Sequence, residues 1–462
     1  MFDLIEKTLS LINGFCEIRI SDKTSRGVAI KNGLLETSSS KRSIGAGIRV
    51  LRNGAWGFAS TSDLDPDSLA KALKDAEIAA IAIGSQSQKK VPALPPKKLA
   101  KKDYKYKTKK DLEDIPFEEK IALAIRIESM IRKNSQFIVT ATTYYSETTE
   151  NKWVMTNDGA KCHSRLSKPD FYCIAVASKD GQMQSSFESS GVVGGFDELF
   201  GSRTPEQMAE KAARIAVDKL DAPYVEGGMH DVVLKPGMVG ILAHEAIGHT
   251  VEADFVLSGL ITAGKIGQKI ASDLITMVDD GPNLMKIGNP AGYIEVDDEG
   301  VEAGEAVIIK DGILSSYLHS RETAELFGVE PTGNARAWSY TDVPIIRMRN
   351  TYIKPGKNSI DEIIGSIDKG YLLVNPENGE ADANAEFMFG CGEAYEIVKG
   401  KVGRLVKNVT ISGQAFDVLK SVDMVGNDFE FAMGSGACGK IQPAKVDGGG
   451  PSIKCKAMLG GR

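Results

Sequence analysis

Apolar residues recur at helical spacing over residues 2–12, 66–83, 116–131 and 204–220, and between these stretches the pattern changes to short alternating runs. After the first helix the runs are CEIRI, GVAIKN, LLETSSS, GAGIRVL and AWGFAST. Asn32-Gly33 and Asn53-Gly54 sit between such runs as hairpin turns. Asp65 and Pro66 then offer an N-cap and a first helical residue with fixed φ. The same order returns after residue 116: a helix, the runs FIVTATTYYSE, KWVMTN, AKCHSRL, FYCIAVAS and QMQSSFESS, and a closing helix. This pattern predicts two related α–β-meander–α units, over residues 1–88 and 113–227.

A basic segment, residues 89–112, joins them. It holds ten lysines between Lys89 and Lys110, with Pro92, Pro95 and Pro96 among them. That composition reads as a solvated, partly flexible linker, with an anionic-partner patch as the sharper alternative. Beyond Gly227 the character changes again. A strand, HDVVLK, ends at Pro236-Gly237, and an apolar helix is predicted from Met238 to Phe255. Past residue 270 the runs are short and strand-like with glycine-rich turns, apart from one helix over 360–367. Residues 228–462 therefore read as a β-rich, barrel-like domain. The expected fold class is α+β, the two related units being followed by a barrel-like C-terminal domain that carries the apolar helix.

At 462 residues the chain exceeds a single core. A balance of 56 basic and 62 acidic residues argues against a general nucleic-acid binder. No apolar run reaches the roughly 18 residues needed to span a bilayer. Asp3 and Glu6 fall where a signal peptide is basic, so a cytoplasmic location is expected. The six cysteines are scattered without a CxxC pair, which suits a reducing compartment.

Of five histidines, two fall in ILAHEAIGHTVEAD, as His244-Glu245-x-x-x-His249. Inside an apolar helix these polar groups are costly without a task. Two metal-binding histidines on a helix are usually four apart, about 40° around the axis. A spacing of five gives about 140°, so a shared ion requires the helix to bend, bulge or end near His249. Gly248 is the residue expected to permit this. A third ligand is needed, because a catalytic zinc takes three protein ligands and keeps one open position. Glu252, Asp254 and a distant residue are the candidates, with Glu252 better read as a supporting or solvent-facing carboxylate. Cys391, Cys438 and Cys455 all remain open on local composition.

The chain resembles the TldD/PmbA family of peptidases, and more closely its metal-bearing TldD branch. The resemblance rests on HEAIGHTVEAD, GKIGQKIAS with MVDDG, DDEGV with IKDGILSSYLHSRETA, PTGNARA, RMRNTYIKPGK and VDMVGND with MGSGACGK, in that order over residues 228–455. It implies a metalloprotease acting on short or unfolded peptides. His244, His249 and Cys438 would hold one divalent ion, expected to be zinc with iron not excluded, and Glu245 would be the general base. Arg321, Arg336 and Asn350, in the family-like segments, become candidates for binding a peptide terminus or stabilising the oxyanion. The resemblance also implies pairing with a paralogous, non-catalytic subunit, or a homodimer. The rival reading is a non-enzymatic regulator, like family members described as gyrase modulators, in which the His/Glu motif is structural. Gly434–Lys440 also matches most of a phosphate-binding G-x4-G-K loop. Ile441 stands where Ser or Thr is needed, and no helix pattern follows.

Overall fold

The computed structural model describes residues 1–88 and 90–461. Lys89, where the predicted linker starts, lies outside the described residues. The N-terminal half is built on strands β1 (Phe15–Lys31), β2 (Leu34–Arg52), β3 (Ala55–Thr61), β4 (Asp103–Lys105), β5 (Ile138–Thr156), β6 (Lys161–Lys179) and β7 (Gln182–Gly191). They form one seven-stranded sheet in the order β3–β2–β1–β5–β6–β4, with β7 also paired to β6. The antiparallel β1–β5 ladder, from Glu17↔Thr156 to Lys31↔Thr142, fuses the two predicted units into one body.

Several predicted strands merge. CEIRI and GVAIKN are two ends of β1, and the pairs of runs read separately after residues 33, 137 and 160 become β2, β5 and β6. What looked like breaks are polar middles. Ser146, Thr148, Glu150 and Lys152 still alternate, so they share one face, but that face lines a cavity rather than a core. The strand ends obey the apolar rule. Ile18, Ile20, Ile48 and Val50 pack under helix Pro66–Gln86. Ala141, Tyr145, Phe171 and Ala175 pack under helices Phe117–Asn134 and Pro205–Asp221. Asp65 caps the first of these helices, accepting from the amides of Asp67 and Ser68.

From residue 99 onward the basic segment packs against both halves of the molecule. Ala100 and Tyr104 are buried among Val154, Cys162 and Val296, β4 lies parallel to β6, and the Ala100 amide donates to the Gly300 carbonyl. Apolar positions between the lysines anchor it, while most of the lysines stay exposed.

The C-terminal half contains a closed barrel of five strands: β8 (Gly228–Leu234), Lys369–Ala381, Glu386–Val398, Val409–Gln414 and Ile453–Gly460. Pairing of Lys369–Ala381 with Glu386–Val398 closes the ring. Beside it stands a six-stranded sheet centred on Met277–Asp280, Asn350–Ile353 and Asp447–Gly450. The apolar segment after Pro236 is sandwiched between the two, with Met238, Leu242, Ala246 and Ile247 in the largest core. Among the described residues, no helix is long and apolar enough to cross a membrane.

Candidate metal centre

The segment carrying the two histidines is not one α-helix. It runs as α-helix over Pro236–Ile241, as π-helix over Leu242–Gly248 and as 3₁₀-helix over His249–Val251; it breaks at Glu252 (ψ 118°) and resumes over Ala253–Leu257. The π-helix resolves the spacing problem. Its i→i+5 hydrogen bonding brings residues five apart onto one face, where a regular α-helix would separate them. The His244 and His249 rings lie 5.2 Å apart between centroids.

Gly248 has a different task from the one expected. Its backbone is ordinary right-handed helix, with φ −53° and ψ −48°. What it provides is space, since a Cβ there would lie 2.0 Å from the Met348 sulfur.

Cys438 arrives on a tight hairpin, Cys438–Lys440 paired with Gln442–Ala444. Two buried cations hold it. Arg347 donates to the Cys438 carbonyl at 2.9 Å and also to the Gln442 carbonyl. Lys440 lies 3.1 Å from Glu252 and 2.8 Å from Asp254, and donates to the Ile346 carbonyl at 3.0 Å. These contacts exclude the phosphate-loop reading, because the lysine is spent on carboxylates and a hairpin replaces the required helix.

Ligand atoms of His244, His249 and Cys438 all lie within 4.8 Å of one another. The Cys438 sulfur is 3.2 Å from His249 Nε2. Both ring nitrogens of His244 are buried without a hydrogen-bond partner among the described residues, a state that is costly unless something else binds them. Two imidazole nitrogens and one sulfur form a donor set suited to zinc, with His244 buried and His249 and Cys438 half-buried. The residues present therefore fit a metal ion.

Glu252, which the sequence offers as a third ligand or, better, as a supporting or solvent-facing carboxylate, takes the supporting place. It is fully buried, and its Oε2 lies 3.1 Å from His249 Nδ1, which leaves Nε2 facing Cys438. This is the supporting contact that fixes the orientation of a ligating imidazole. Sequence reasoning missed Lys440 and Arg347; the first was visible only as a loop lysine, the second only as one arginine of RMRNT.

Glu245 reaches the same space, with Oε2 3.7 Å from His249 Nε2 and Oε1 4.0 Å from His244 Nε2. Burial raises its carboxyl above the usual range, and nearby Glu252 adds to this while His249 opposes it. Burial pushes the His244 ring well below its ordinary value, so it stays neutral and able to donate a lone pair. Burial also opposes charge on His249, but contacts with Cys438 and Glu252 outweigh it and raise the ring to about 10.

The three other candidates lie elsewhere. Arg321 is buried over the Phe15 ring and bound to Asp158 and the carbonyls of Leu94 and Pro95. The Asn350 side chain donates to the Asp280 carbonyl at 2.7 Å inside the six-stranded sheet. Neither contacts the His/Cys cluster. Arg336 lines the cavity between the two halves and donates to the carbonyls of Met348 and Lys445 at 2.7 and 2.6 Å.

The chain is similar to known proteins along nearly its whole length. Models of the three PmbA/TldA metallopeptidase domains match residues 16–80 (domain 1), 110–220 (central) and 227–460 (C-terminal). The chain is 34% identical to a metalloprotease of Methanothermobacter thermautotrophicus, over 97% of this chain and 95% of that one. It is 30% identical to a zinc metalloprotease TldD homolog of Saccharolobus solfataricus, over 99% of each. Among solved structures, TldE from Thermococcus kodakarensis superposes with a TM-score of 0.80 at 19% identity, over the whole of both chains. A candidate modulator of a DNA gyrase from Thermotoga maritima superposes equally well, at 0.80 and 20% identity, over 99% of this chain and 100% of that one. With family models spanning nearly its whole length and relatives above 30% identity, the chain belongs to the PmbA/TldD family of metallopeptidases.

Proposed function

We propose that this chain is a metal-dependent peptidase that hydrolyses peptide bonds in short or unfolded peptides. The observation that carries the reading is the convergence of His244, His249 and Cys438, with both His244 nitrogens buried and unpartnered among the described residues, beside the carboxyl of Glu245. His244, His249 and Cys438 would hold the ion; zinc suits the donors and the name of one relative, and iron remains compatible with them. When bound, the ion supplies Lewis-acid polarisation of a carbonyl and lowers the pKa of water toward about 7. Glu245 accepts the proton from the attacking water and delivers it to the leaving amine. Its raised affinity for a proton suits both halves of that task. Glu252 holds the His249 ring, and Lys440 holds Glu252.

In the cell the proposed arrangement is a cytoplasmic dimer, with a paralogous non-catalytic subunit or a second copy. The test is elemental analysis of the purified chain together with cleavage of an unstructured peptide, before and after chelation. One equivalent of metal and chelator-sensitive cleavage are expected. A metal-free chain that no added divalent ion activates would instead favour the non-enzymatic reading.

A further inference from the structure

The long cavity between the polar face of the N-terminal sheet and the C-terminal domain measures about 370 Å³, within the range of ligand pockets. Its lining includes Gly436 and Ala437, immediately before the cysteine of the metal centre. Most charges on its walls are matched. Lys445 is paired with Asp170, and Lys152 lies 2.8 Å from Asp298. Glu150 accepts from Ser21 at 2.7 Å and lies 3.8 Å from Lys152. Glu295 faces the Tyr293 hydroxyl.

Among the described residues, three cations on its walls are left without a carboxylate: Lys23, Lys168 and Arg336. Lys23 donates to the Trp338 carbonyl at 3.2 Å and lies over that ring, at the side of the cavity formed by β1. Lys168, on β6, donates only to the Tyr293 carbonyl at 3.2 Å. Arg336, opposite it on the C-terminal domain, meets only the carbonyls of Met348 and Lys445. Burial, followed by Arg336 and Lys445, pushes the Lys168 ammonium well below its ordinary value. Burial and neighbouring Arg347 lower the Arg336 guanidinium to about 10. Cations placed together at this cost have an evident use if an anion completes them.

The geometry points to Lys168 and Arg336 as a binding site for the free α-carboxylate at the C-terminal end of a peptide whose chain runs toward the metal centre. This rests on the peptidase reading above. Met348, whose carbonyl Arg336 engages, is the residue packed on Gly248 of the metal-bearing segment, so the carboxylate site and the metal centre share a wall. An entering carboxylate favours the charged form of Lys168 and gains two charge-assisted contacts. The enzyme would then read the chain end in addition to the backbone, favouring cleavage a few residues from a free C-terminus.

The test measures binding separately from turnover. Fluorescence anisotropy is read on metal-loaded Glu245→Gln protein with one labelled peptide, as free acid and as C-terminal amide. The acid should bind at least about tenfold more tightly. Lys168→Met should weaken the acid by a similar factor and leave the amide unchanged, with Lys168→Arg retaining the preference. Arg336→Gln should act in the same direction, and Lys168→Met keeps the test decisive if that variant misfolds. Equal binding of acid and amide, or a Lys168→Met loss common to both, overturns the proposal. So does an amidated peptide with an internal Asp that binds as tightly as the free acid, since the site would then read side-chain carboxylates. If wild type cleaves neither peptide yet the acid preference stands in binding, the peptidase reading fails and the carboxylate site survives.

Discussion

Replacing Glu245 by Gln removes the proton acceptor and leaves the side chain's size nearly unchanged. Metal content should stay near wild type while peptide turnover falls by about 10² to 10⁴. Metal-loaded Glu245→Gln turning over normally would remove the assigned role. The cysteines make a second residue-scale prediction. Cys438→Ser should strip the metal, because a neutral hydroxyl is a poor ligand where a thiolate was in place. Cys391→Ser and Cys455→Ser should retain it. Cys391 is buried in the barrel, 3.2 Å from the Glu393 carbonyl, with its thiol pushed up to about 12 by burial. Cys455 is equally buried, on strand Ile453–Gly460. The histidines and Glu245 were legible from local sequence as costly polar groups in an apolar run. Cys438 was not, since nothing near it differs in kind from the surroundings of Cys391; only the resemblance selected it. Glu252, Lys440 and Arg347 were hidden for a related reason: their tasks exist only once the hairpin docks on the π-helical segment.

At the scale of elements, the sequence announced that a regular helix would fail near His249 and left open how. The answer, a π-helical turn before the second histidine, needs no unusual backbone at Gly248. The glycine is there because Met348 lies against it. Gly248→Ala should therefore shift the π-helical segment away from Met348, destabilise the protein by about 1–3 kcal/mol and weaken metal binding. Adding Met348→Ala should restore much of both, measured by thermal midpoint and by metal titration. If the double variant binds metal no better than Gly248→Ala alone, steric relief is not what the glycine provides. The strands taught a complementary lesson. Apolar alternation located the strand ends at Ile18–Ile20 and Ile48–Val50, whose faces meet helices. It could not carry the strands through Ser146–Lys152, where the alternating positions meet a polar cavity instead of a core.

At the scale of the molecule, the two related units were readable as a repeat, but their fusion into one sheet was not. Nothing local to β1 or β5 states that they pair. The joint to the C-terminal domain is equally non-local, and it is ionic. Arg49 on β2 lies 2.9 Å from Glu17 on β1 and 2.6 Å from Glu299 of the C-terminal domain, all three being buried. Glu299 also accepts from the Arg321 amide at 2.7 Å, and Arg321 in turn holds Asp158, so the network crosses from sheet to domain twice. Burial raises the Glu17 carboxyl and Glu299 adds to the strain, while Arg49 counters it. Arg49→Met would leave Glu299 without its cation and Glu17 with Arg19 alone, 3.7 Å away, at a cost of about 3–5 kcal/mol. The thermal midpoint should fall clearly, with the metal still bound below it, because no member of this network touches His244, His249 or Cys438. Adding Glu17→Gln to Arg49→Met should recover part of the loss, since the variants share one network and their effects cannot add. A fully additive pair of losses would show that Arg49 contributes by packing on the Trp56 ring, 4.0 Å away, and not by charge.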